Sequence, residues 1–256
     1  ADPAVPDCAA HGDGVGGWTL TGTKAAVPVP EGADAVLVSA TTDDGPGLFL
    51  LDPAAPGVTW EHAETTSRQW CGHLELDSAP ATGVAVGTTG RAALARTLRR
   101  AHVALSAVQL GVTRGALAHA TGYLSERTQF GRPLGTFQAV AHQLADCHID
   151  IEAAGVTLWQ AATRLDGADG ADADPADLDP ADLDRTALVA KWWATDAGQR
   201  VLHRVQHVHG GIGVDLDYPV HRHYLWGKEI AGTLGGPSAD LDRLGAVLAT
   251  TEVTAS

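Results

Sequence analysis

The chain has 256 residues, 45% of them hydrophobic and 19% charged. That is enough for one large domain or two smaller ones, and it argues against global disorder. A net charge of −14 disfavours nucleic acid or an anionic membrane as partner.

Cys8, Cys71 and Cys147 are widely spaced and odd in number. They make no disulfide framework and suit a reducing cytoplasm. The sequence has no signal peptide and no apolar run of about eighteen residues. It has no Met, even at position 1, so it is expected to begin after the true N-terminus.

Residues 1–88 read as a β domain. Short apolar or alternating runs at 18–24, 35–39, 47–51 and 73–77 are separated by Gly, Pro, Asp and Thr clusters. The spacing is that of a sandwich or small barrel. The Gly-rich residues 12–17 read as a hairpin loop. From Thr88 the pattern turns helical, so residues 89–256 form a second domain. Residues 88–99, with Arg91, Arg96, Arg99 and Arg100 in or beside them, form a short basic helix. It is either a solvated face or a phosphate contact. Helix 102–129 is apolar on most sides and belongs in the middle of a bundle. Helix 137–165 follows. Residues 166–180 are acidic, with Pro and Gly, and read as an exposed loop. Their aspartates raise calcium as an option, although no spacing fits an EF-hand. A helix over 181–208 carries Trp192 and Trp193. Pro219 fits the first turn of another helix, running to Thr233. Residues 234–237, Leu-Gly-Gly-Pro, break that helix, and Ser238 is placed to cap a last one over 239–249. The expected class is α+β: a β-barrel or sandwich followed by an antiparallel four-helix bundle.

The turn at residues 125–138, Ser-Glu-Arg-Thr-Gln-Phe-Gly-Arg-Pro-Leu-Gly-Thr-Phe-Gln, joins two long helices. It brings a fixed cation (Arg127), two amides (Gln129, Gln138) and a ring (Phe130) to a helix end. Such a set suits a phosphate-bearing aromatic cofactor. The residues leave a second option open: a plain hairpin corner, with Phe130 in the core and Arg127 paired to an acid.

A second stretch lies further on. Residues 207–213 read His-Val-His-Gly-Gly-Ile-Gly, and Tyr218-Pro219-Val-His-Arg222 follows. In this order the two stretches resemble the acyl-CoA dehydrogenase superfamily. The resemblance runs from about Gly17 to Gly245. It implies a β domain followed by a helical bundle, with the family's front helical domain absent. It also implies FAD-dependent α,β-dehydrogenation of an acyl-CoA. There a carboxylate takes the α-proton, and the flavin takes the β-hydrogen as hydride.

The same resemblance marks departures. Gly236 stands where most relatives carry the glutamate base. The alternative base position falls on Ala101, or with a one-residue offset on Arg100 or His102. Glu229 and Asp240 are nearby acids that read as solvated helix surface rather than as a relocated base. After Gly22-Thr23-Lys24, Ala26 replaces the tryptophan that covers the flavin ring. Pro28 replaces the threonine that bonds near N5. The nucleotide half is kept. Arg127 would pair with the FAD diphosphate, Gln129 and Gln138 would hydrogen-bond, and Phe130 and Leu134 would pack on the adenosine side. Gly210, Gly211 and Gly213 would let backbone amides approach phosphate. His207, where relatives often carry Gln, would donate one bond. In the family this half is lent to a dimer mate. The chain therefore resembles the catalytically silent subunits of actinobacterial heteromeric acyl-CoA dehydrogenases acting on steroid side-chain thioesters. That implies FAD shared with a catalytic partner subunit in a heterotetramer, the acyl-CoA held mainly by the partner, and no metal. A self-sufficient enzyme with a relocated base and a cofactor-free scaffold are the alternatives.

Overall fold

A computed structural model describes residues 2–28, 32–169 and 179–254. They form two compact units, Ala1–Leu98 and Arg99–Ser256.

The first unit is a small closed sheet. Its strands are β1 (Ala9–Gly12), β2 (Gly17–Pro28), β3 (Val36–Thr42), β4 (Gly45–Leu51), β5 (Val58–Glu64) and β6 (Trp70–Ala85). The order β2-β1-β3-β4-β6 closes on itself because β2 also pairs with β6. Leu20, Val38, Phe49, Leu51, Leu74 and Leu76 fill the interior, alternating with outward residues as period-two strands require. The Gly-rich residues after β1 make the expected hairpin loop, with Ala9 opposite Thr21 and Gly12 opposite Trp18. Two strands escape the sequence reading. Ala-Ala-His-Gly of β1 has little β-propensity. The outward residues of β5 are Thr59, Glu61, His62 and Glu64, which read as loop. Among the described strands, β5 pairs with β6 alone and is the exposed edge.

Gly57, just before β5, has φ +78°, and a Cβ there would lie 2.1 Å from the Asp77 carbonyl oxygen. The backbone cannot yield, because the Asp77 N–H donates to the Gly57 carbonyl at 2.8 Å. Gly57→Ala is therefore expected to cost about 3 kcal/mol, read as a lowered Tm in thermal denaturation.

The helices are α1 (Gly90–Glu126), α2 (Gln138–Asp169), α3 (Pro180–His209), α4 (Val220–Gly232) and α5 (Pro237–Thr254). The expected basic helix and the first bundle helix are one: nothing between Arg99 and His102 breaks a helix. The unit boundary falls inside it. Arg99 is spent on structure, with Nε 2.5 Å from Asp184 Oδ1 and Nη2 3.1 Å from Oδ2. Within this chain α1 is not enclosed. Leu110, Val112, Ala116, Ala120 and Leu124 are buried, while Ala104, Val108, Gly111 and Ala118 are exposed. The expected acidic loop is helical as far as Asp169, and residues 170–178 lie outside the described ones. Asp179 caps α3 by accepting from the Ala181 N–H at 2.9 Å, with Pro180 in the first turn. Pro219 is the residue before α4 rather than inside it. Ser238 does not cap α5, which already begins at Pro237 and runs past 249. Proline's fixed φ suits that first position.

Ion pairs report the helix directions. Arg200 and Arg204 each reach Asp150 at 2.8 Å, and Arg164 meets Asp182, so α2 and α3 run antiparallel. Pairing of Arg99 with Asp184, and Gln109 against Gly198, make α1 and α3 parallel. Both therefore end at the same end of the unit, which is what assembles the site.

Candidate functional site

The chain leaves α1 through a minimal hairpin, β7 (Thr128–Gln129) and β8 (Arg132–Pro133). Phe130 and Gly131 form its two-residue tip, with φ +54° and +78°. Positive φ at both central residues is the geometry of a type I′ turn, which normally takes Asn-Gly. A phenylalanine there bears about 1 kcal/mol of backbone strain. Its ring is also 90% exposed. The hairpin tip thus keeps a bulky apolar ring both strained and wet. Phe130 is therefore not in the core, where a plain hairpin corner would have it. Phe137 meets it edge-on at 6.2 Å, and the Arg132 guanidinium lies 4.0 Å above the Phe137 ring.

Arg127 is exposed. Its backbone is fixed at both ends: its N–H donates to the Tyr123 carbonyl at 2.9 Å, and its carbonyl accepts from Leu134 N–H at 2.8 Å. Its side chain forms no ion pair among the described residues. Gln129 is exposed, its Nε2 donating to the Thr128 carbonyl at 2.9 Å. Gln138 is the exposed first residue of α2. Leu134 is half-buried against the helical core.

The second stretch closes α3. Exposed His207 lies in its last turn. Gly210 ends the helix at φ 64°, ψ −141°, a backbone state that glycine tolerates and side chains avoid. Gly210 and Gly211 are exposed, and a Cβ on either would meet nothing within 4 Å. Gly213 is buried, and a Cβ there would sit 3.0 Å from Gln206 Nε2. Three rings tie the stretches together. Tyr123 of α1 stacks on His209 of α3 at 4.9 Å, and Tyr218 leans on both, at 5.6 Å from His209 and 6.1 Å from Tyr123. This cluster was not foreseen. His209 and Tyr218 lay inside quoted motifs, but their stacking depends on parallel helix ends that no local pattern announces. Beside it, Val214 and Leu216 are 71% and 57% exposed.

The arrangement is an open face: a free guanidinium, amides, a protruding ring and an unobstructed glycine turn. It fits the nucleotide end of a dinucleotide. Among the described residues there is no cluster that could hold a metal ion, and no helix is long and apolar enough to cross a membrane.

Comparison with known proteins agrees with this geometry. Residues 88–239 match the family described as acyl-CoA dehydrogenase, C-terminal domain. The acyl-CoA dehydrogenase FadE27 of Mycobacterium tuberculosis is 42% identical over 236 residues, covering 92% of this chain and 62% of its own length. The chain belongs to the acyl-CoA dehydrogenase family. A solved variant of the Tcur3481-Tcur3483 steroid ACAD superposes with TM-score 0.88 at 57% identity, over 100% of this chain and 65% of that one. The ChsE4-ChsE5 complex from Mycobacterium tuberculosis superposes with TM-score 0.81 at 39% identity, over 94% and 62%. The chain thus spans less than two thirds of the length of these relatives. Homologues in the acyl-CoA dehydrogenase family bind FAD.

The two positions at which the sequence resemblance places the base hold Gly236 and Ala101. Gly236 lies in the α4–α5 link, which has no side-chain base. The link itself is held from beneath. Arg243 donates to the Leu234 carbonyl at 2.6 Å, and Lys191 Nζ lies 3.4 Å from the Gly235 carbonyl and 3.5 Å from Asp240 Oδ2. Lys191 and Asp240 are both 0% exposed. Asp240 is thus not solvated helix surface, as the sequence suggested, because the first turn of α5 packs onto α3. Burial pushes the Lys191 pKa down against the pull of Asp240, and pushes the Asp240 carboxyl up against Lys191 and Arg243. His102, 6% exposed, has a pKa lowered to about 4 by burial and by the cations Lys191 and Arg243. On the ring side, Ala26 stands at φ 52°, its N–H donating to His73 Nδ1 at 3.3 Å. Pro28 closes β2 opposite Cys71. Neither offers a stacking surface or a side-chain donor. All three cysteines are buried free thiols.

Proposed function

We propose that this chain is the non-catalytic, FAD-gripping subunit of a heteromeric acyl-CoA dehydrogenase that works in the cytoplasm. The observation that carries the proposal is that Arg127, without an ion-pair partner among the described residues, stands near Phe130, which is strained and 90% exposed. Both stand beside a glycine turn at one end of the helical unit. Arg127 binds the diphosphate, Gln129, Gln138 and His207 hydrogen-bond, and Phe130 and Leu134 pack on the adenosine. Gly210, Gly211 and Gly213 bring main-chain amides near phosphate. When bound, FAD supplies the hydride acceptor. Its ring and the proton-accepting carboxylate belong to the partner subunit, which also holds most of the acyl-CoA. In this reading the helical part, residues 89–256, serves the grip and assembly, and the β part, residues 1–88, contributes no ring contact. Likeness to a steroid ACAD favours a steroid side-chain thioester as substrate, and a heterotetramer with two copies of each subunit as the assembly.

A self-sufficient enzyme is disfavoured by His102. A buried imidazole whose conjugate acid has a pKa of about 4 is a weak proton acceptor.

Co-expression with a related chain that keeps the glutamate and the Trp-x-Thr should give a yellow complex. That complex should reduce an electron acceptor with a bulky acyl-CoA, while this chain alone should lack stoichiometric flavin. Turnover by the purified single chain would overturn the reading.

A further inference from the structure

One buried group at the gripping end is not used by the grip itself. His209 is 4% exposed. Its Nδ1 lies 2.7 Å from the Val205 carbonyl oxygen, and its Nε2 is enclosed without a partner among the described residues. A carbonyl oxygen only accepts, so Nδ1 carries the proton and Nε2 a lone pair. A buried lone pair with no donor is a cost that phenylalanine at this position would avoid. The three stacked rings come from three different parts of the site. Tyr123 holds the Arg127 N–H through its carbonyl. His209 immediately precedes Gly210, and its Cβ would lie 3.2 Å from a Cβ on Gly213. Tyr218 belongs to the link that leads into α4.

We propose that His209 is the positioning residue of this end. Its neutral ring, tethered to Val205 and stacked on Tyr123, fixes the Arg127 backbone against the Gly210–Val214 turn and so sets how tightly the FAD diphosphate is held. The inference rests on the FAD reading above.

The titratable groups beside the ring are Tyr123 and His119 from α1 and Tyr218 from the link, and His119 in turn meets His223 of α4 at 5.2 Å. Burial pushes the His209 pKa below its ordinary value; the Val205 carbonyl pulls it back and His119 lowers it further. The sign follows. At neutral pH the ring is uncharged and the stack intact. As pH falls below about 6.5, any loosened form of this end takes up the proton first, so the positioned form loses ground on the acid side.

The test is the Kd for FAD of the co-expressed complex, read by flavin fluorescence from about pH 8 down to about pH 5. Wild type should bind progressively more weakly toward acid. His209→Phe keeps an aromatic stack without a proton site. It should stay within about threefold of wild type at neutral pH and lose most of the acid-side weakening. His209→Ala, which removes stack and tether, should bind about tenfold more weakly at every pH. An acid profile of His209→Phe identical to wild type would overturn the inference, as would His209→Ala with unchanged affinity. If the alanine variant fails to fold, the phenylalanine profile alone decides. Arg127→Ala is the control: were it to bind FAD normally, the FAD reading itself would fail, whatever the His209 variants do.

Discussion

In the proposed heteromeric complex, Arg127→Ala should strip FAD while leaving the chain folded. The guanidinium has no ion-pair partner among the described residues, so its removal orphans no buried charge. A charge-assisted pair with a diphosphate contributes about 1.5–3 kcal/mol, so occupancy should reflect a Kd raised roughly 10- to 100-fold. The flavin-to-protein absorbance ratio after gel filtration checks it. Arg127→Lys should recover only part of the affinity, because an ammonium cannot present a planar fork of donors. Phe130 sharpens the case by separating two signs. Phe130→Gly relieves the positive φ and should raise Tm slightly, yet it removes the adenosine contact and should weaken FAD binding. A variant that gained both stability and affinity would refute the role given to the ring.

The second large effect lies under the α4–α5 link. Breaking the Lys191–Asp240 pair from either side leaves a fully buried charge short of a partner, with Arg243 3.5 Å from Asp240 as partial compensation on one side. Lys191→Met and Asp240→Leu should each destabilise by about 3–5 kcal/mol, a fall in Tm of roughly 10 °C. The double variant should recover much of this, because two apolar side chains of similar volume avoid the desolvation that shifts both pKa values toward neutrality. Thermal denaturation of the four proteins forms a complete cycle. Additive losses would show that the two groups do not act as a pair.

Much of this architecture was written locally. The switch from period-two to helical patterning at Thr88 lies two residues before α1, and Gly210-Gly211 and Leu234-Gly-Gly-Pro punctuate helices where expected. Arg127 and the glycines stand out in the sequence as a fixed cation and helix breakers near helix ends, and the structure leaves Arg127, Gly210 and Gly211 exposed there. What stayed hidden was non-local. β5 carries polar residues on its outward side, and only its register with β6 makes it a strand. Asp240 looks like any first-turn acid, and only the approach of α3 buries it. Residues 88–99 and 102–129 differ in composition but not in helix-forming tendency, so α1 runs through both without a break. The ring cluster at Tyr123, His209 and Tyr218 requires three segments to arrive together, which sequence spacing does not encode.

Closure of the first unit through β2 and β6 has a bearing on how the chain fails when it lacks a partner. A sealed ring offers no backbone template for strand-by-strand growth. The remaining border, β5, presents Glu61 and Glu64 outward, and like charges there repel a second copy. Precipitates of the purified chain should accordingly be amorphous and nearly free of thioflavin-positive fibrils, arising from the wet apolar side chains of the helical unit, such as Val156 and Trp159.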